Sequence, residues 1–183
     1  WDTTPDIIAS GKGLSSGYFP IAATVASDKV FEAFREPFAH GHTYISHPVG
    51  CAAGYAVLDY VVKHNLVERS AELGKYFHER LQELCNHPTV GDVRGIGLFT
   101  GIEFVKDKET KEPFHPELKY YSRIMDQCFK NLLLVYPGSG TVDGVRGDHI
   151  IVAPPLIVER SEIDEIVEIL DRSISEAEEK VAR

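Results

Sequence analysis

A lysine held between two glycines, Gly11-Lys12-Gly13, closes a short apolar run, Ile7-Ile8-Ala9, near the start of the chain. An amine attacks a carbonyl only when neutral, and partial burial beside another positive group moves a lysine toward that state. Flanking glycines let the backbone approach a planar ring with no Cβ in between. The arrangement suits Schiff-base chemistry at a flat cofactor; the plainer reading is a surface lysine in a turn after a strand. A phosphate-cradling loop is excluded, because Asp6 stands where that motif needs its first glycine and Gly13 where it needs Ser or Thr. A catalytic lysine so early leaves most of its pocket unaccounted for, so the expectation is part of an enzyme.

A second constellation is His40-Gly41-His42-Thr43-Tyr44-Ile45-Ser46-His47-Pro48. Its histidines have no cysteine or carboxylate among them to complete a ligand set, so no metal is expected. Isolated histidines are more often hydrogen-bonded structural residues. Thr43 differs in kind: a hydroxyl and nearby N–H groups just ahead of a helix beginning near Pro48 suit a phosphate. Arg94 is expected in a glycine-rich loop and reads as structural, and Gly138-Ser139-Gly140 reads as a flexible turn.

The elements that must position these groups follow from patterning. A chain of 183 residues, 43% hydrophobic and 26% charged, is long enough to bury a core. A net charge of -9 disfavours nucleic acid as a partner. No apolar run reaches the length of a membrane span, and Cys51, Cys85 and Cys128, odd in number and far apart, look like reduced thiols of a cytoplasmic protein. Residues 5 to 45 read as short strands between glycine-rich turns, with Ile21 to Ala26 as one strand and Ser27-Asp28 capping a helix over 29 to 35. Pro48 suits a first helical turn. Leu66, Leu73, Phe77, Leu81 and Leu84 form one helical stripe, which His87-Pro88 ends. Gly95-Ile96-Gly97 opens a strand running to Val105, Pro116 begins a helix, and Leu132 to Tyr136 and Ile150 to Ala153 read as strands around a loop from Gly138 to Gly147. Ser161 with Asp164 is a capping signature for a last helix striped by Ile163, Ile166, Val167, Leu170, Ile174 and Ala177.

Asp6-Ile7-Ile8, Gly11-Lys12-Gly13-Leu14, Gly17, Pro20, Gly41-His42-Thr43-Tyr44, His47-Pro48 and Cys51-Ala52-Ala53 together resemble the class III (omega) aminotransferases, pyridoxal-phosphate enzymes of fold type I. The resemblance continues through Val93 to Leu98 and Ile150 to Pro155, over essentially the whole chain. It implies pyridoxal 5'-phosphate as cofactor and Lys12 as its Schiff-base residue and general acid/base. It implies His42 and Thr43 as cofactor contacts, with Thr43 reaching the phosphate of the neighbouring subunit in a homodimer that shares its active sites. Arg146, in Val145-Arg146-Gly147, resembles the arginine that binds a substrate carboxylate in pyruvate-using members. A bidentate fork suits an α-keto acid, and the bland alternative is a solvated residue in a hairpin-like loop.

Members of the family are typically more than twice as long, and the chain matches their C-terminal part. The phosphate-holding glycine/serine loop and the aspartate that pairs with the pyridine nitrogen are expected upstream of Trp1. The expected architecture is α/β: residues 1–47 end a large cofactor domain, 48–85 form connecting helices, and 86–183 make a small C-terminal α/β domain. The expected activity is transfer of an amino group from an amine or omega-amino acid to an α-keto acid such as pyruvate, with the isolated fragment inactive. The alternatives are a non-catalytic module and an aminomutase or decarboxylase of the same scaffold.

Overall fold

The first apolar run is strand β1 (Ile7–Ser10), paired antiparallel with β2 (Ala23–Ala26), Ile7 opposite Ala26 and Ser10 opposite Ala23. The structure, a computed structural model, describes residues 3–34 and 39–181. It divides into two compact units, Trp1–Asn65 and Leu66–Arg183.

In the first unit a 3₁₀ turn, Lys12–Ser15, follows β1, and the buried Ser15 hydroxyl donates to the Phe19 carbonyl to close the loop between the strands. Ser27 precedes helix α1 (Asp28–Phe31), but its hydroxyl bonds Asp6 Oδ1 at 3.2 Å instead of capping, tying the helix start to β1. The helix expected over 29 to 35 ends at Phe31, and residue 35 lies outside the described residues. Helix α2 (Pro48–Lys63) starts with proline in its first turn, where the missing N–H would have no intrahelical partner. A Cβ on Gly50 would stand 2.7 Å from the Phe19 ring, so this helix lies tight against the loop that carries Lys12.

In the second unit, α3 (Leu66–Gln82) buries Leu66, Leu73, Phe77 and Leu81, the expected stripe, and Leu84 follows in a 3₁₀ turn, Glu83–Asn86. The strand expected from Gly95 to Val105 is instead a hairpin: β3 (Val90–Ile96) and β4 (Phe99–Phe104), turned at Gly97 with φ +55°. Glycine is required there for the left-handed turn. Opposite it a Cβ on Gly74 would stand 2.5 Å from the Gly97 backbone, so α3 lies almost on the turn. Arg94 therefore sits on a strand and not in a loop.

Pro116 begins only a 3₁₀ turn, Pro116–Leu118; Lys119 at φ +47° breaks the path, and α4 runs Tyr120–Lys130. Residues 132–135 are not a strand. Leu132 adopts φ +67°, its N–H bonds the Phe129 carbonyl and that of Leu133 bonds Cys128, which is a Schellman closure of α4. The strand starts later, as β5 (Tyr136–Gly138), followed by β6 (Asp148–Val152). The antiparallel sheet runs β3-β4-β6-β5. Thr100, Ile102, Phe104, Ile150 and Val152 point to the core, while Glu103 and His149, directly paired, point to the other face.

Helix α5 (Arg160–Val181) buries Ile163, Val167, Leu170, Ile174 and Ala177 against that core. Its start is not capped by Ser161: Glu162 reaches back to accept the Glu159 N–H at 2.7 Å. Tyr76 and Arg80 of α3 both bond Asp164 of α5, at 2.6 and 2.9 Å, and hold its carboxyl below the ordinary range, the Tyr76 hydroxyl first.

Candidate active site

Lys12 is the first residue of the 3₁₀ turn at the end of β1, exposed, with φ +51°. A side-chain-bearing residue is rarely placed in this left-handed region without a reason. Its amine has no hydrogen-bond or ion-pair partner among the described residues. Nothing lies within 4 Å of where a Cβ on Gly13 would stand, so packing within this unit does not demand glycine there. An unpartnered amine beside open space is the arrangement a carbonyl-bearing ligand would use.

Thr43 opens the turn 43–46 that leads into α2, braced by the Ile45 N–H on the His42 carbonyl at 3.0 Å. Its hydroxyl is exposed and has no partner among the described residues. The His42 ring meets His40 edge to face, centroids 4.8 Å apart. His47 stacks on Phe19 at 5.0 Å and occupies the N-cap position of α2, so the third histidine of the cluster is a packing residue. Among the described residues no group of three or more His, Cys, Asp or Glu could hold a metal. No helix there is long and apolar enough to cross a membrane.

Arg146 belongs to the second unit, in the loop between β5 and β6, and is half exposed. Its Nε donates to Asp143 Oδ2 at 2.7 Å, while Asp143 Oδ1 accepts the Arg146 and Val145 N–H groups at 2.7 and 3.0 Å. The Arg146 N–H and then its guanidinium hold the Asp143 carboxyl down at about 2. Sequence reasoning singled out Arg146 and missed Asp143, although Asp-Gly-Val-Arg carries the signal: an aspartate before glycine accepts N–H groups two and three residues on.

Beside this loop is a groove of about 400 Å³ lined by Asp92, Glu103, Lys111, Thr141, Val142 and Gly147. Arg94 crosses the outer face of the hairpin to Asp92 at 2.6 Å and Glu103 at 2.5 Å. That hydrogen bond from Arg94 is the main reason the Glu103 carboxyl lies below its ordinary range, with Thr141 adding to it.

The family model for aminotransferase class-III matches residues 1–174. The chain belongs to the class III aminotransferases. It is 45% identical over 176 residues to an uncharacterized aminotransferase of Schizosaccharomyces pombe, covering 94% of this chain and 38% of that protein. Among solved structures it is similar to a transaminase from the marine bacterium Virgibacillus, with TM-score 0.89, 29% identity, and 99% of this chain on 41% of that one. It is also similar to an amine transaminase from an uncultivated Pseudomonas species in its PLP-bound form, with TM-score 0.84, 34% identity, and 94% on 39%. This class III chain spans well under half the length of the relatives it matches.

The residues present fit a phosphate-bearing aldehyde cofactor. The unpartnered Lys12 amine could serve as a nucleophile for such an aldehyde, and the unpartnered Thr43 hydroxyl could donate to its phosphate.

Proposed function

We propose that this class III aminotransferase chain carries the cofactor lysine, a phosphate contact and the substrate-carboxylate arginine of a pyridoxal-phosphate enzyme. That enzyme moves an amino group from an amine or omega-amino acid to an α-keto acid such as pyruvate. The observation that carries the reading is Lys12: a left-handed, exposed lysine between two glycines whose amine is held by nothing in its own unit. When bound, pyridoxal phosphate supplies a condensing aldehyde and an electron-withdrawing ring.

The protein's own groups do the rest. Lys12 holds and moves a proton at its Nζ, which the short 3₁₀ turn keeps at the end of a strand. Thr43 and, beside it, His42 orient the cofactor at the entrance to α2. In a homodimer with shared sites Thr43 serves the partner's phosphate; exposed Tyr55, Leu58 and Val62 on α2 support such an association. Arg146 binds the keto-acid carboxylate through its planar fork. Division of the chain among a large cofactor domain (1–47), connecting helices (48–85) and a small domain (86–183) completes the reading. Reduced Cys51, Cys85 and Cys128 agree with a cytoplasmic setting.

The test is borohydride reduction of the intact, cofactor-loaded enzyme followed by peptide mapping. The phosphopyridoxyl label belongs on Lys12; a label on any other lysine refutes the assignment.

A further inference from the structure

The loop that carries Arg146 also carries a carboxylate that neutralises it. Asp143 Oδ2 accepts from Arg146 Nε at 2.7 Å, and the backbone holds both residues in place. Val142 N–H bonds the Arg146 carbonyl at 3.0 Å, Gly144 N–H bonds the Gly140 carbonyl at 3.0 Å, and the Thr141 hydroxyl bonds the Gly147 carbonyl at 3.2 Å. Only one edge of the fork is engaged: the terminal nitrogens of Arg146 have no partner among the described residues. The pair is half exposed, 50% and 41%, so water and salt screen it.

We propose that Asp143 is the positioning residue that keeps the Arg146 guanidinium in reserve and sets how tightly a substrate carboxylate is bound. The inference rests on the reading of Arg146 given above. An incoming carboxylate meets the free terminal nitrogens first and then takes the place of Asp143 at Nε. One carboxylate is exchanged for another, so the guanidinium is never left without a counter-charge. A buried pair would resist that exchange, whereas a screened one yields to it. A substrate without a carboxylate leaves the pair closed. Asp143 thereby selects between acceptors: it competes with carboxylates and is indifferent to neutral aldehydes.

Asparagine separates this role from the turn. Its Oδ1 still accepts the Val145 and Arg146 N–H groups, while its amide cannot accept from Nε. Kinetics are measured on the intact holoenzyme with pyruvate and with propanal as acceptors. Binding of non-reacting propionate is followed separately through the ¹⁵Nε–H resonance of Arg146. Asp143→Asn should lower the pyruvate KM and the propionate Kd by about two- to fivefold, the range of a screened ion pair, and leave kcat and the propanal KM unchanged. Asp143→Ser, which also accepts the turn N–H groups, should behave alike. Unchanged or raised values for pyruvate and propionate in both variants overturn the proposal. If Arg146→Ala impairs pyruvate but not propanal while the Asp143 variants change nothing, the role of Arg146 stands and only the latch falls. If Arg146→Ala spares pyruvate, both fall.

Discussion

Replacing Lys12 by glycine should make the cofactor-free enzyme more stable while abolishing its activity. Lys12 sits at φ +51°, a region that costs an L-residue roughly 1–2 kcal/mol. Its side chain is exposed and unpartnered, so removing it forfeits no packing or hydrogen bond in its unit. Glycine removes the steric cost but brings about 0.5–1 kcal/mol of extra unfolded-chain entropy. The difference is a net stabilisation of about 0.5–1 kcal/mol. In a protein of this family's size, more than twice the length of this chain, that is a rise in Tm of about 0.5–1 °C. Lys12→Ala keeps the Cβ and with it the strain, so its Tm should stay close to the parent while turnover is lost equally. The assay is thermal unfolding of the apo form of the intact enzyme, beside release of keto product in single turnover. A glycine variant no more stable than the alanine variant would show that the left-handed conformation is not held in solution. Turnover surviving in either would remove Lys12 from the chemistry. If both expectations hold, the backbone strain belongs to the amine's function.

Leu132 offers the same logic away from the site: it closes the Schellman motif at φ +67° with its side chain 92% exposed. Leu132→Gly should therefore stabilise by about 0.5–1 kcal/mol in urea unfolding, with Leu132→Ala unchanged. Thr43→Ala should weaken pyridoxal phosphate retention by one charge-assisted hydrogen bond, about 1.5–3 kcal/mol, read as cofactor loss on dialysis. Glu103 has a folded pKa depressed chiefly by Arg94, so its contribution to stability is full above its ordinary value of 4.5 and is lost as pH falls below that through the depressed value. Thermal unfolding between pH 3 and 7 should show this loss, and Glu103→Gln should flatten it.

The helices of the second unit were legible because a buried face repeats every three to four residues. Leu73, Phe77 and Leu81 on α3, and Ile163 through Ala177 on α5, carry that period whatever surrounds them. Strand β3 was not legible. Gly91, Asp92, Arg94 and Gly95 interrupt its apolar alternation, and its pairing with β4 depends on a turn at Gly97 that α3 presses against. Leu132 to Val135 misled for the opposite reason: a run of apolar residues reads as a strand, yet the helix before it needed closing and took Leu132 into the left-handed region.

By its own order of residues the chain determined the chemical types at the candidate site, an amine between glycines, a hydroxyl before a helix and a guanidinium in a loop, together with the family to which they belong. Side-chain identity and local period are written residue by residue. Only the folded structure decided that the backbone at Lys12 is left-handed and its amine unpartnered, that His47 is a packing residue, and that Arg146 is already neutralised by Asp143. Backbone handedness and the partner of a charge are settled by what closes around them, through contacts that no single stretch of sequence contains.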